Sequence, residues 1–358
     1  MRRQIELRSQ TPVIRRTASA RTVVGRRSVR FAAALAMVVA SALPLAAPVA
    51  VAEADPPIGV TEYPLPTPNS SPSRITVGPD GNLWFTEFGA NQIGKITPGG
   101  AVSEYHLPSS GGGPLGIAAG ADGNVWFAEL YNGKIGAITP SGHVVEHLLP
   151  TASRRPQELT AGPDGNIWFT EIDGSRPETY IAKITTSGTV TEYPTGSFNR
   201  PVGITAGTEG NVWATVIESD DADAILRITP AGVITVFRLP VPDPAAHAGP
   251  VGITAAPGGT LWFTQRDVDQ IGEITSQGAL TQHALPTRGS SPRGITAGRD
   301  GSFWFTELGS HKIGRVDPQG NVQEFPIPTS NSLPSGIVLG PDGHVWFTQL
   351  DGNKIGRI

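Results

Sequence analysis

The stretch ITVGPDGNLWFTEFGANQIGKITPGGAVSEYHLP, residues 75–108, decides the fold. It contains four short strand signals separated by turn chemistry. A β-branched run ends at Asp80-Gly81, where glycine supplies the positive φ of a tight hairpin. Leu83-Trp84-Phe85-Thr86 follows, and alternation puts Trp84 and Phe85 on opposite faces of a sheet. Ile93-Gly94-Lys95-Ile96 and Val102-Ser103-Glu104-Tyr105 read as a third and a fourth strand.

Working outward, the same unit recurs along the chain. All seven tryptophans fill the slot of Trp84: Trp126, Trp168, Trp213, Trp262, Trp304 and Trp346, at spacings of 42, 42, 45, 49, 42 and 42 residues. A four-strand unit of that period predicts an all-β, seven-bladed β-propeller with four-stranded antiparallel blades. Both faces of each blade are apolar because each is sandwiched between two others. The third-strand glycine recurs as Gly136, Gly272, Gly314 and Gly356, and the expectation is that a neighbouring Trp ring lies over it. The last unit stops at Ile355-Gly356-Arg357-Ile358, after its third strand. A spare fourth strand, Gly59-Val60-Thr61-Glu62-Tyr63-Pro64-Leu65-Pro66, stands at the other end. Residues 58–66 are therefore expected to complete the blade built from 334–358, leaving no open sheet edge.

Residues 1–54 differ in kind. Residues 1–30 carry nine Arg and a single acid, Glu6, and an Ala-rich apolar stretch runs from Phe31 to Ala52. A-x-A sites after Ala52 and Ala54 complete a secretory signal, predicting a secreted, extracellular protein whose mature part is the propeller, residues 55–358. Arg26-Arg27 is the pair of a twin-arginine signal, matched in part by its surroundings; a retained anchor is the alternative. Without residues 1–54 the chain keeps 18 basic and 29 acidic residues, a net charge of −11 against −4 for the whole. That balance argues against nucleic-acid and anionic-membrane partners. Cysteine is absent, which removes disulfides and thiolate chemistry. A closed ring of this kind is expected to act as a monomer.

Candidate site residues cluster on one rim, where first strands enter the channel. After the repeated proline come Ser73, Leu115, Gln157, Val202, Val251, Arg293 and Ser335; the next position is glycine except at Arg74 and Glu158. Arg74, Gln157, Glu158, Arg293 and Ser335 are thus candidates to bind a small ligand, peptide or glycan, the alternative being a merely water-filled channel. His247 joins them from the long loop 241–250. Loops 172–180 and 218–223 also break the period, and the acids Glu218, Asp220, Asp221 and Asp223 could hold Mg²⁺ or Ca²⁺ or simply face water. A further ring, Glu87, Glu129, Glu171 and Glu307, broken by Val216, Gln265 and Gln349, is expected to accept backbone N–H bonds within its own blades. No histidine falls on a channel-lining strand, and no nucleophile elbow or phosphate loop is present.

The units GPDGNLWFTEFGANQIGKITPGG (78–100), SPRGITAGRDGSFWFTELGSHKIGRVDPQG (291–320) and GPDGHVWFTQLDGNKIGRI (340–358) resemble the blades of the virginiamycin B lyase, or streptogramin B lyase, family over about residues 58–358. The resemblance implies a carbon–oxygen lyase that opens a cyclic depsipeptide by elimination. A His base would take a proton beside a carbonyl and Mg²⁺ would stabilise the developing charge. It places the family's two histidines at Arg293 and Ser335, and two acids at Leu333 and Gln349. Arg293 cannot serve as a base near neutral pH, and Ser335 has no evident activating partner. Two functions follow as expectations: a lyase with a relocated base, Glu158 or His247, or a non-catalytic propeller binding its ligand at the channel mouth.

Overall fold

Each blade opens where a proline ends the incoming loop and a β-branched run begins. The computed structural model describes residues 59–151, 153–173, 179–196, 200–218, 223–240 and 247–358. Residues 1–54, expected to be an export signal, lie outside them, as do residues 174–178, 219–222 (with Asp220 and Asp221) and 241–246 of the long loops. Among the described residues, 28 strands form seven four-stranded antiparallel sheets and there is no helix. Blade one consists of Pro72–Val77, Leu83–Glu87, Gln92–Ile96 and Val102–His106. The seven Asp-Gly-type turns all place their glycine at positive φ, from Gly81 at 73° to Gly259 and Gly343 at 87°.

Alternation seats the two aromatics as expected. Trp84 packs with Leu107, Ile117 and Phe127 toward blade two. Phe85 packs with Leu65, Ile75 and Trp346 toward blade seven. Each Trp also stacks on a fourth-strand ring of its own blade: Trp84 on Tyr105 at 5.6 Å, Trp126 on His147 at 5.6 Å, Trp262 on His283 at 5.2 Å. Two of the seven histidines are therefore stacking partners. Trp304 departs from the pattern by being half-buried, while Phe303 of its blade stacks on Trp262 at 4.4 Å.

The third-strand glycines have a different cause from the one expected. Gly94 is the direct cross-strand partner of Phe85, and a Cβ there would run into the Phe85 ring, not into a tryptophan. An aromatic lying over a cross-strand glycine fills the pleat that the glycine leaves empty. The Trp rings instead cover the glycines that end the first strands, such as Gly78 and Gly162. Blade four reverses the volumes, pairing Ala214 with Leu226. Gly94→Leu alone should overpack and destabilise by about 2–3 kcal/mol in chemical denaturation. Combining it with Phe85→Ala recreates the blade-four pair, and the double mutant should be less destabilised than the two singles added together. Additive losses would remove this explanation.

The ring closes as the strand arithmetic requires. Thr61–Pro64 pairs antiparallel with Lys354–Arg357, with Glu62 opposite Gly356 and Tyr63 opposite Ile355. Tyr63 stacks on Trp346 at 5.4 Å, the same role that Tyr105 has in blade one.

Candidate functional site

The residues of the channel mouth are positioned by two repeated devices. Every first strand carries a register shift just after its proline, between Pro72 and Ile75 in blade one and between Pro292 and Ile295 in blade six. Such bulges re-aim side chains, here toward the channel entrance. The Thr of the WFT motif then ties adjacent blades together. Thr264 Oγ1 accepts the N–H of Gly252 at 2.9 Å and donates to the Arg293 carbonyl at 2.8 Å. Thr306 does the same between Gly294 and Ser335, and Thr348 between Gly336 and Ser73, across the seam. The recurring Thr was visible in the sequence, but its inter-blade role was not. The glycines that follow the bulge let blades approach, since a Cβ on Gly252 would meet the Arg293 carbonyl.

A cavity of about 290 Å³ opens at this mouth. Its walls include Leu115, Val202, Ile217 and Val251, and four guanidiniums reach it, from Arg74, Arg200, Arg266 and Arg293. Gln157 and Glu158 line it as well. Arg74 is fixed: its Nε donates to Glu158 Oε1 at 2.5 Å and its Nη1 to Ser335 Oγ at 2.8 Å. Arg266 forks onto the Asp267 carboxylate at 2.7 and 2.9 Å. Among the described residues, neither Arg200 nor Arg293 has an acidic side chain in contact. Burial, then the neighbouring Arg74, pushes the Arg293 guanidinium down to about 9, which leaves it charged at neutral pH.

Of the residues singled out from sequence, Arg74, Gln157, Glu158 and Arg293 thus meet in one cavity, with Ser335 fully buried behind them against Arg74. Arg200 and Arg266 complete the cluster; Arg200 just precedes a repeated proline, and Arg266 stands where the other blades have Phe88, Leu130, Ile172, Ile217, Leu308 and Leu350, a break in the repeat that marks it. His247 is not among the lining residues: its Nδ1 lies 3.6 Å from Asp223 Oδ1. Asp223 accepts the backbone N–H groups of Glu218 at 2.9 Å and Gly249 at 2.7 Å, so it organises loops. Among the described residues, which leave out Asp220 and Asp221, no group of three or more His, Asp or Glu side chains could hold a metal ion. Leu333 turns at φ 45° with its N–H on His311 Nδ1 at 3.3 Å.

The inner Glu ring is buried, and it does not accept the backbone bonds expected of it. The Glu129 and Glu307 carboxyls bond the side chains of Asn132 and Ser310 instead. Each Glu faces a second acid on the fourth strand: Glu87 with Glu104, Glu129 with Glu146, Glu171 with Glu192, Glu307 with Glu324. Burial, then the facing carboxylate, pushes Glu87 and Glu171 up to about 8. Blade five has a neutral pair in these places, Gln282 donating to Gln265 at 3.1 Å, and in blade seven the neutral Gln349 donates to the Glu62 carboxylate at 3.0 Å. The ring is closed to ligand and belongs to the core.

The sequence profile described as the Virginiamycin B lyase family matches residues 49–177 and 175–358. The chain belongs to the virginiamycin B lyase family. A solved streptogramin B lyase superposes with a TM-score of 0.76 at 35% identity, covering 84% of this chain and 96% of that one. A catalytically inactive histidine-to-alanine variant of virginiamycin B lyase from Staphylococcus aureus, solved with quinupristin, gives 0.75 at 37% identity, covering 84% and 98%. A curated virginiamycin B lyase from Bacillus licheniformis is 49% identical over 43 residues, a match spanning 12% of this chain and 15% of the relative's length. A divalent cation fits poorly in this member of the family. Mg²⁺ takes oxygen ligands, usually carboxylates. The positions to which the resemblance assigns the family's histidines and acids hold Arg293, Leu333, Ser335 and Gln349, and the two carboxylates near the cavity, Glu158 and Asp267, are already paired with Arg74 and Arg266.

Proposed function

We propose that this chain is a secreted, ligand-binding propeller that keeps the ring and channel mouth of its family without the family's elimination chemistry. One observation carries the reading: the position that the resemblance assigns to a histidine base holds Arg293, inside a cavity with three further arginines. A guanidinium does not abstract a proton at neutral pH. Ser335 touches a donor, Arg74, and not a base. Glu158, a candidate replacement base, is already paired with that same Arg74 at 2.5 Å. The ligand is a small molecule or short peptide, consistent with the cavity volume of about 290 Å³. The Arg-rich and then apolar residues 1–54 support export, and a ring without a free sheet edge supports a monomer.

Incubation of the purified protein with quinupristin and Mg²⁺, followed by chromatography and mass spectrometry, tests the reading. Elimination would give a linear product of unchanged mass. The expected result is intact substrate, with any ring opening at least about 10²–10⁴-fold slower than by the Staphylococcus aureus enzyme, the loss expected when a general base is removed. Ring opening at a comparable rate would overturn the proposal.

A further inference from the structure

The charge at the channel mouth is opposite to that of the chain as a whole. The mature chain carries −11, yet four guanidiniums converge on one cavity. Two of them are neutralised locally, Arg74 by Glu158 and Arg266 by Asp267. Among the described residues no carboxylate contacts Arg293 or Arg200, although Glu158 lies near enough to favour the charge of Arg293; Arg293 is the more deeply placed of the two, with its backbone fixed by the Thr264 relay. Among the described residues no side chain bonds the Arg293 guanidinium, and the neighbouring Arg74 disfavours its charge, so it has donors to offer and gains from an anion. A carboxylate satisfies both needs, because its two oxygens match the planar fork of the guanidinium.

The remaining walls define the rest of the ligand. Leu115, Val202, Ile217, Val251 and Leu308 give the cavity an apolar lining around its charged floor. Small-ligand sites characteristically combine apolar walls with a few placed polar groups. An inorganic anion would leave those walls wet, whereas an anion with an apolar body would cover them.

Resting on the binding reading above, we propose that the channel mouth takes an amphipathic carboxylate, such as an acylated apolar amino acid or the C-terminus of a short apolar peptide. Its carboxylate pairs with Arg293, supported by Arg200, and its apolar part lies on the aliphatic walls. Gln157 lines the same cavity and is available to hydrogen-bond an amide of the ligand.

Isothermal titration calorimetry with N-acetyl-phenylalanine tests this, alongside its uncharged amide and inorganic phosphate. The acid should bind at least about 10-fold more tightly than the amide, the worth of hydrogen bonds to a charged group. Its affinity should fall with added salt. Arg293→Gln should lose at least that factor, whereas Arg299→Gln, on the opposite rim, should bind as the parent does. A thermal melt checks that both variants are folded, and Arg293→Lys should recover part of the binding should Arg293→Gln prove unstable. Equal binding of acid and amide, phosphate as tight as the acid, or an unchanged Arg293→Gln would each overturn the proposal. Binding is read without turnover, so failure here leaves the quinupristin result standing, and ring opening there does not decide the carboxylate question.

Discussion

Removal of residues 59–66 should abolish cooperative folding of the propeller, leaving a chain with no sharp thermal transition above about 37 °C. This segment supplies the whole outer strand of blade seven. Without it the edge of Lys354–Arg357 is unpaired, and Trp346 loses the stacked Tyr63 ring at 5.4 Å. Leu65, buried between blades seven and one with Ile75 and Phe85, is lost with it. So is a polar clamp: Glu62 accepts from Thr329 N and Oγ1 at 3.2 and 2.9 Å, from Lys354 at 3.0 Å and from Gln349 at 3.0 Å. Truncating one buried aromatic costs about 3–5 kcal/mol, and one Leu about 2–5 kcal/mol, against a total domain stability of about 5–15 kcal/mol. The finer test uses internal symmetry. Tyr63→Ala should cost as much as Tyr105→Ala, because Tyr105 stacks on Trp84 at 5.6 Å in an uninterrupted blade. A Tyr63→Ala loss under about 1 kcal/mol, with Tyr105→Ala costly, would mean that the seam is not a true blade edge.

The repeat explains why so much of this was readable in advance. Seven Trp positions at near-constant spacing act as an alignment of the chain with itself, so blade number, strand order and seam follow from counting. What the repeat hides is pairwise. The Phe85–Gly94 contact depends on strand register, which places Gly94 opposite Phe85 and Trp84 opposite Lys95. Which ring covers the glycine is decided by that register and not by the repeat spacing. The site was legible where it broke the repeat: Arg74 and Glu158 stand where other blades have Gly, and they form an ion pair across the channel. Arg266 breaks the repeat as well, standing where other blades have an apolar residue such as Leu130 or Leu308, whereas Arg200, just before a repeated proline, occupies a variable position and is placed in the cluster only by three-dimensional proximity. His247 broke the period too, but a neighbouring carboxylate, Asp223, lies beside it, away from the cavity lining.

Stability should peak at mildly acidic pH and fall as the solution becomes alkaline, because of the buried carboxyl pairs. Glu87 and Glu171 are pushed up from 4.5 to about 8, and Glu307 to about 7, by burial first and then, for Glu87 and Glu171, by the facing Glu; at Glu307 the Ser310 bond opposes the rise. In the unfolded chain these groups titrate near their ordinary value. Between about pH 4.5 and 8 the folded state therefore binds more protons than the unfolded one, and stability falls as pH rises through that window. The outer partners have the opposite sign. Burial raises Glu324, but bonds from Lys312 and Thr287 outweigh it, so its pKa is lowered and its contribution is lost below the ordinary carboxylate range. One pKa unit corresponds to about 1.4 kcal/mol, so a single unit realised at each of three inner sites amounts to about 4 kcal/mol. The melting temperature should then fall by about 5–10 °C between pH 5.5 and 9. Blade seven already carries the remedy: Gln349 donates to Glu62 without needing a proton from solvent. The triple substitution Glu87→Gln, Glu171→Gln and Glu307→Gln should leave the melting temperature near its parent value at pH 5.5, raise it at pH 9 and flatten the profile between. A parent profile that is level or rising over this range, or a triple variant destabilised at pH 9, would mean that these carboxyls are ionised in the folded ring. In that case the Glu and Gln blades would not be equivalent solutions to the same packing problem.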